Sequence, residues 1–257
     1  MPVTALTRAV SRSLPECQLT HLERAPIDLS VARAQHRQYE ETLESLGCTV
    51  LRVPEAPELP DAVFIEDVAV VLDELAVMTR PGAESRRAES GPVADALGAL
   101  RPLVWMTEPA TLDGGDVLHI GRTLYVGLSH RTSDEGIAQL ADAVRRHGYV
   151  VQRVEISGAL HLKTAVTGIG DGLLLVNPDW VDPAAIDGRV VEVDPDEPFA
   201  ANALVVGSTI VHSTAFPKTQ RRLTNRGLTV RGVDASELAK AEGGVTCCSL
   251  LLVSGDR

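Results

Sequence analysis

The chain has 257 residues, 44% of them hydrophobic and 23% charged, a balance that excludes intrinsic disorder and supplies apolar material for one large core or two small ones. Lys and Arg number 24 against 35 Asp and Glu, so the net charge of −11 repels nucleic acid and anionic membrane and favours a small cationic ligand. No stretch approaches the roughly 18 continuous apolar residues of a membrane span, and "MPVTALTRAVSRSLPE" lacks the roughly 7–15-residue apolar core of a signal peptide, so export and membrane insertion are not expected.

In chain order, "VTALTRAVS" reads as a strand without a local partner. The helical pattern "ARAQHRQYEETLESL" follows, stops at Gly47, and gives way to a short strand, "CTVLRV". Paired apolar runs predict hairpins in "AVFIEDVAVVLDELAVMTR" (62–80), "GDVLHIGRTLYVGLSHR" (115–131), "HLKTAVTGIGDGLLLVN" (161–177) and "ANALVVGSTIVHST" (201–214), with "IGRT", "GDG" and "VGST" as turns. The helix, Gly, strand unit recurs at Gly148 after "SDEGIAQLADAVRRH" and at Gly227 after "KTQRRLTNR". "VTCCSLLLV" ends the pattern as half a hairpin, and "VTALTRAVS" supplies the other half if the chain closes into a ring. Hairpins spaced roughly every 40–50 residues fit a repeat architecture, and closure removes exposed sheet edges. An α+β domain with one mixed sheet fits the same pattern. No Pro/Gly/Ser-rich linker interrupts the chain, so one domain, 1–257, is expected.

The four cysteines, Cys17, Cys48, Cys247 and Cys248, lack zinc spacing and read as reduced thiols in a cytoplasmic setting. On a terminal strand, Cys247 and Cys248 point to opposite faces, so at most one of them faces a shared cavity. Gly243 and Gly244 just before them permit close approach of a ligand. Of the seven histidines, His161 opens a hairpin strand among apolar neighbours, His36 and His147 fall on polar helix faces, and His130 falls in a loop. Acidic residues cluster where two hairpins begin: Asp61, Glu66 and Asp67 in one, Asp113 and Asp116 in the other. In a ring these would converge on the axis and suit a planar cation. Arg80, Arg86, Arg87 and Arg131 are candidates for a carboxylate clamp. A metal-ligand constellation, a dinucleotide fingerprint and a phosphate loop are all missing from the sequence, and neither metal nor cofactor is expected.

The segments "FIED", "RPGAESRR", "LDGGDVL", "SHRTSDEG", "LHLKT", "AAN" and "GGVTCCS", in this order, resemble the dimethylarginine dimethylaminohydrolases of the guanidine-modifying pentein superfamily. The resemblance spans nearly the whole chain. It implies an α/β fold, a five-bladed pseudo-symmetric propeller whose last blade is closed by the N- and C-terminal strands. It also implies hydrolysis of Nω-methylated L-arginine to L-citrulline and an amine. Cys247 matches the family's nucleophile, His161 its general acid and base, and Asp113 the carboxylate paired with that histidine. Asp61, Glu66 and Asp67 match the acids that hold the guanidinium and the α-amino group, and Arg86 and Arg131 match the arginines that bind the α-carboxylate. Leu19 falls on a lid loop, while Ala241 and Glu242 precede the glycines where relatives contact substrate through backbone. A methyl contributes only about 1 kcal/mol of discrimination, so an arginine deiminase-type hydrolase that releases ammonia stays open, as does an amidinotransferase. The expected partner is a small cationic amino acid, not nucleic acid or membrane, on a monomer or homodimer.

Overall fold

The computed structural model describes residues 2–253, and the helix-glycine-strand units fall where the sequence places them. β1 (Val3–Arg8), α1 (Leu29–Ser45) and β2 (Cys48–Val53) come first, followed by β3 (Ala69–Val71), β4 (Ala76–Met78), α2 (Ser90–Gly98) and β5 (Leu103–Trp105). The third group is β6 (Val117–Ile120), β7 (Thr123–Leu128), α3 (Asp134–Val144) and β8 (Val150–Glu155). Then come α4 (Leu162–Ala165), β9 (Val166–Gly168), β10 (Leu173–Val176) and β11 (Arg189–Glu192). The chain continues through β12 (Ala203–Val206), β13 (Thr209–Ser213), α5 (Pro217–Thr224), β14 (Thr229–Val233), α6 (Ser236–Ala239) and β15 (Leu250–Val253).

Among the described residues these strands form five three-stranded sheets: β15-β1-β2, β3-β4-β5, β6-β7-β8, β9-β10-β11 and β12-β13-β14. Each has one plan. An antiparallel hairpin is followed by a crossover to a third strand parallel to the second, as in β6-β7 antiparallel and β7-β8 parallel. The fold is a five-bladed pseudo-symmetric α/β propeller. Its first blade is closed across the termini, with Val3 opposite Val253 and Leu6 opposite Leu250. The third strands are the outer edges, exposing Leu51 (41%), Trp105 (52%) and Val150 (55%). The first strand of each hairpin lies innermost.

Gly47, Gly148 and Gly227 all have φ between 79° and 90°, the left-handed conformation that ends a helix and that a side chain would strain. They mark only three blades. In the second blade α2 leaves through Leu100 and Arg101 instead, and in the fourth a 3₁₀ turn at Pro183–Ala185 replaces the helix. The repeat in the sequence is therefore incomplete although the architecture repeats five times.

Three local expectations change. Cys247 and Cys248 do not lie on a strand: β15 starts only at Leu250, and the cysteines occupy a tight turn in front of it. His161 stands immediately before the short helix α4, not on a strand. His36 lies not on a polar face but in the buried stripe of α1, with Ala32, Gln35, Tyr39 and Leu43 at helical spacing. Among the described residues no helix is long and apolar enough to cross a membrane.

Candidate active site

Each blade begins with a short turn that leads into its inner strand, and the site is assembled from those turns. Ile65–Val68 leads into β3, Gly114–Asp116 into β6, α4 into β9, Pro198–Ala201 into β12 and the turn holding Cys247 into β15. Because the turns are equivalent by pseudo-symmetry, Glu66, Asp67, Asp113, His161, Asn202 and Cys247 converge from five blades. Close packing fixes the glycine motifs. A Cβ on Gly115 would stand 2.7 Å from both Asp67 Oδ1 and His161 Nδ1; one on Gly243 would strike the Phe64 ring, and one on Gly244 the Asn202 amide.

His161 is buried between carboxylates. Its Nε2 lies 3.0 Å from Asp113 Oδ2, and its Nδ1 lies 3.9 Å from Asp67 Oδ1. Burial opposes the imidazolium, but Asp67, the Asp113 hydrogen bond and Asp116 outweigh it and raise the pKa to about 9. At neutral pH the ring is charged. Asp67 is held at about 2: burial works against its carboxylate, and His161, Arg86 and the Gly115 N–H overcome that penalty. Asp116, fully buried, is pushed up to about 6 by desolvation, although Ser129, Thr132 and the backbone N–H of Leu162 all donate to it. Through Leu162 it anchors the residue next to His161.

The Cys247 thiol is half-buried and accepts from the Gly244 N–H at 3.3 Å. Burial, then Glu66 and Asp67, push its pKa up to about 12, so the sulfur is a thiol at neutral pH. Cys248 is buried, donates to the Gly244 carbonyl at 3.6 Å, and burial likewise pushes its thiol pKa well up. Glu66 lies behind the sulfur. Lys163 Nζ reaches its Oε1 at 2.5 Å, Thr246 Oγ1 donates to its Oε2 at 2.7 Å, and its N–H donates to the Cys247 carbonyl at 3.1 Å. Asn202 completes this frame, donating to Thr246 Oγ1 and the Lys163 carbonyl and accepting from the Thr246 N–H.

A polar cleft joins Asp61, Asp67, Arg86, Arg131, His161, Ala241, Glu242 and Cys247. Asp61 accepts from the Gln18 N–H at 3.1 Å, and burial raises its pKa. Arg131 stands 3.9 Å from Asp113 and reaches Thr20. Arg86 is buried, pairing with Asp67 at 2.5 Å and Glu89 at 2.9 Å and donating to the Asp61 and Phe64 carbonyls. Of its five N–H groups, one on Nη1 has no partner among the described residues. Arg80 and Arg87 turn instead to Glu108 and Glu84 on the surface. Leu19 packs half-buried against the core and lies outside the cleft wall, which Gln18 contributes to. Glu242, at φ 58°, accepts from the N–H groups of Thr20, His21 and Leu22, tying the 18–22 loop to the cysteine turn.

The ligand atoms of Asp67, Asp113 and His161 lie within 4.8 Å of one another, a spacing that could hold a metal ion. A cation there would compete with the proton that the two carboxylates already hold on His161. Lys163, Asn202, Thr246 and Glu89 escaped the sequence reading. The first three sit inside the motifs "LHLKT", "AAN" and "GGVTC", but no spacing rule pairs them.

A thiol, a charged imidazole and carboxylates brought together by pseudo-equivalent turns of a five-bladed α/β propeller define the guanidine-modifying class of enzymes. The comparisons agree at both levels. A family model, Arginine deiminase, matches residues 55–206. The chain is 42% identical to the N(G),N(G)-dimethylarginine dimethylaminohydrolase of Streptomyces coelicolor over 96% of each chain. It superimposes with a TM-score of 0.93 and 30% identity on that enzyme from Pseudomonas aeruginosa, a cysteine-to-serine variant complexed with citrulline, covering 98% of this chain and 100% of the other. A histidine-to-glycine dimethylarginine dimethylaminohydrolase, solved as an adduct with S-methyl-L-thiocitrulline, matches at TM-score 0.92 and 30% identity with the same coverage. The chain belongs to the dimethylarginine dimethylaminohydrolase family.

Proposed function

We infer that this protein hydrolyses Nω-methylated L-arginine, both the asymmetric dimethyl and the monomethyl forms, to L-citrulline and dimethylamine or methylamine. The catalytic unit is the whole chain, 1–257. The observation that carries the reading is Cys247 on the rim of a cleft whose other walls hold acids for a guanidinium and an α-amino group and arginines for an α-carboxylate. Citrulline and S-methyl-L-thiocitrulline, the molecules bound to the related structures, support the same chemistry.

Asp61, Glu66 and Asp67 hold the cationic parts of the substrate, and Arg86 and Arg131 its carboxylate. Ala241 and Glu242 meet the substrate through backbone, and Leu19 belongs to the loop that closes over it. Burial, then Glu66 and Asp67, keep Cys247 protonated; a guanidinium placed against those carboxylates cancels their field and stabilises the thiolate by its own charge, so substrate binding favours release of the thiol proton to solvent. The thiolate attacks the guanidinium carbon, and His161, kept protonated by Asp67 and Asp113, passes its proton to the departing amine. Collapse of the tetrahedral adduct leaves a thiouronium on sulfur. Neutral His161 then takes a proton from water as its oxygen attacks the same carbon, and a second collapse, in which the remaining hydroxyl proton is lost through solvent to the released amine, gives citrulline, an alkylammonium ion and the regenerated thiolate. Guanidinium is a weak electrophile because its charge is delocalised, so the site must favour the sp³ adduct over the planar ground state.

A side-by-side assay of citrulline formation from arginine, monomethylarginine and asymmetric dimethylarginine tests this reading. Methylated substrates should be turned over in preference to arginine. Ammonia released from unmethylated arginine as the preferred reaction would mark an arginine deiminase instead.

A further inference from the structure

Asp116 takes no step in the mechanism above, yet three residues that do are tied to it. It is 0% exposed, so it reaches the cleft only through the groups that donate to it. Leu162 N–H donates to its Oδ1 at 2.9 Å, Thr132 Oγ1 to its Oδ2 at 2.7 Å and Ser129 Oγ to the same Oδ2 at 2.6 Å. Each donor is coupled in turn to a different site residue. Leu162 follows His161 in the chain, Thr132 Oγ1 accepts from the Asp113 N–H at 3.2 Å, and Ser129 Oγ accepts from the Arg131 N–H at 3.0 Å. We propose that Asp116 is a positioning residue whose three arms set His161, its partner Asp113 and the carboxylate-binding Arg131 in one register, with Thr132 carrying turnover and Ser129 carrying substrate affinity. This rests on the function inferred above and adds to it three residues that touch neither substrate nor sulfur.

The direction of every bond in this network follows from one charge. A carboxylate only accepts, so the Ser129 and Thr132 hydroxyls must point their single protons at Asp116 and turn their lone pairs to the Arg131 and Asp113 N–H groups. An amide of the same shape cannot do this. With its oxygen toward Leu162, its NH₂ competes for the lone pairs of both hydroxyls; turned over, it sets that NH₂ against the Leu162 N–H. Two of the arms belong to a single turn after β7, where Ser129 Oγ also accepts from the Thr132 N–H at 3.2 Å. The third crosses from the third blade to the fourth, and so fixes the separation across which His161 Nε2 meets Asp113 Oδ2 at 3.0 Å. Close packing holds that crossing. A Cβ on Gly127 of β7 would stand 2.9 Å from Leu162 Cβ and 3.0 Å from Asp116 Oδ1, so the strand lies against this arm with no side chain between. A misplacement of about 1 Å in a catalytic group costs on the order of 10²-fold in rate, which makes such a remote brace consequential.

Steady-state kinetics on asymmetric dimethylarginine separate the arms. Ser129→Ala, at a half-buried position, cuts the arm to Arg131 and should raise KM about tenfold with kcat within about threefold of wild type. Thr132→Val cuts the arm to Asp113 and should lower kcat about tenfold with KM within about threefold. Asp116→Asn keeps the shape, removes the charge and should do both, lowering kcat/KM on the order of 10²-fold or more. Adding Ser129→Ala to Asp116→Asn should then change KM less than about twofold, because that arm is already broken. A carboxylate that only stabilises the fold would lower the melting temperature and the active fraction but leave KM at the wild-type value in every variant. That pattern overturns the positioning role, as does full additivity of Ser129→Ala with Asp116→Asn. Should Asp116→Asn fail to fold, the opposite KM and kcat effects of Ser129→Ala and Thr132→Val decide the matter, and their absence overturns the role. Wild type inert toward dimethylarginine would instead sink the functional reading, and this inference with it.

Discussion

Two buried histidines, one at the hub and one under α1, meet carboxylates and end in opposite charge states. His161 has Asp67, Asp113 and Asp116 around it and is raised to about 9. His36 has only Glu40, 3.9 Å from its Nδ1, and that carboxylate already serves Thr7 and Arg52. Burial lowers the His36 pKa, Glu40 restores part of it, and Arg52 opposes Glu40; its Nε2 has no partner among the described residues. Three carboxylates outweigh burial at His161, whereas at His36 a single carboxylate, opposed by Arg52, does not, so a nearby carboxylate alone does not charge a buried imidazole. The hub gathers such anions because five turns bring their chains' polar ends to one place, whereas the α1 cluster belongs to a single blade.

The comparison can be broken most forcefully at the sulfur. Cys247→Ser should lower kcat by on the order of 10⁴-fold or more in a citrulline assay, and Cys248→Ser should stay within about twofold of wild type. A reversed pair of results would reassign the nucleophile. His161→Gln should cost roughly 10²–10⁴-fold in kcat, the range expected when a positioned acid and base is lost. Asp113→Asn leaves His161 with fewer anions, so an NMR titration should show its pKa falling from about 9 while the fold persists.

Stability against pH separates the two histidines by sign. The folded pKa of His161 is raised above its unfolded value, so its contribution is complete below about pH 6.5 and is lost as pH rises toward about 9. The urea midpoint should decline through that window in the wild type and decline less in His161→Gln. His36 is depressed on folding, so its contribution is complete above about pH 6.5 and is lost as pH falls below that value. His36→Leu should flatten the acid side of the same profile and leave citrulline formation within about twofold, the smallest effect of the series. A steeper acid side would mean that His36 is charged in the folded protein.

Much of this was legible before any coordinates. The hairpins, the glycines that end α1 and precede β8 and β14, and the pairing of the chain's two ends follow from periodicity and turn residues. Blades two and four hid their helix-glycine-strand unit, because one uses a different helix exit and the other replaces its helix with a 3₁₀ turn. The cysteine pair was read by strand alternation, yet a turn in front of β15 separates the two sulfurs, so one reaches the rim and the other the core for a different reason. His36 escaped because a stripe was sought among apolar residues, while Gln35 and His36 fill two of its positions. The frame of Lys163, Glu66, Thr246 and Asn202 was out of reach for another cause: its members lie up to 180 residues apart, and only ring closure makes them neighbours.

The central claim is a covalent intermediate on one particular sulfur, and acid-quenched mass spectrometry during turnover of asymmetric dimethylarginine tests it most directly. The account predicts a thiouronium adduct on the peptide containing Cys247, localised by fragmentation to that residue and absent from Cys247→Ser. Steady turnover with no trapped adduct, or an adduct carried by Cys248, would contradict it.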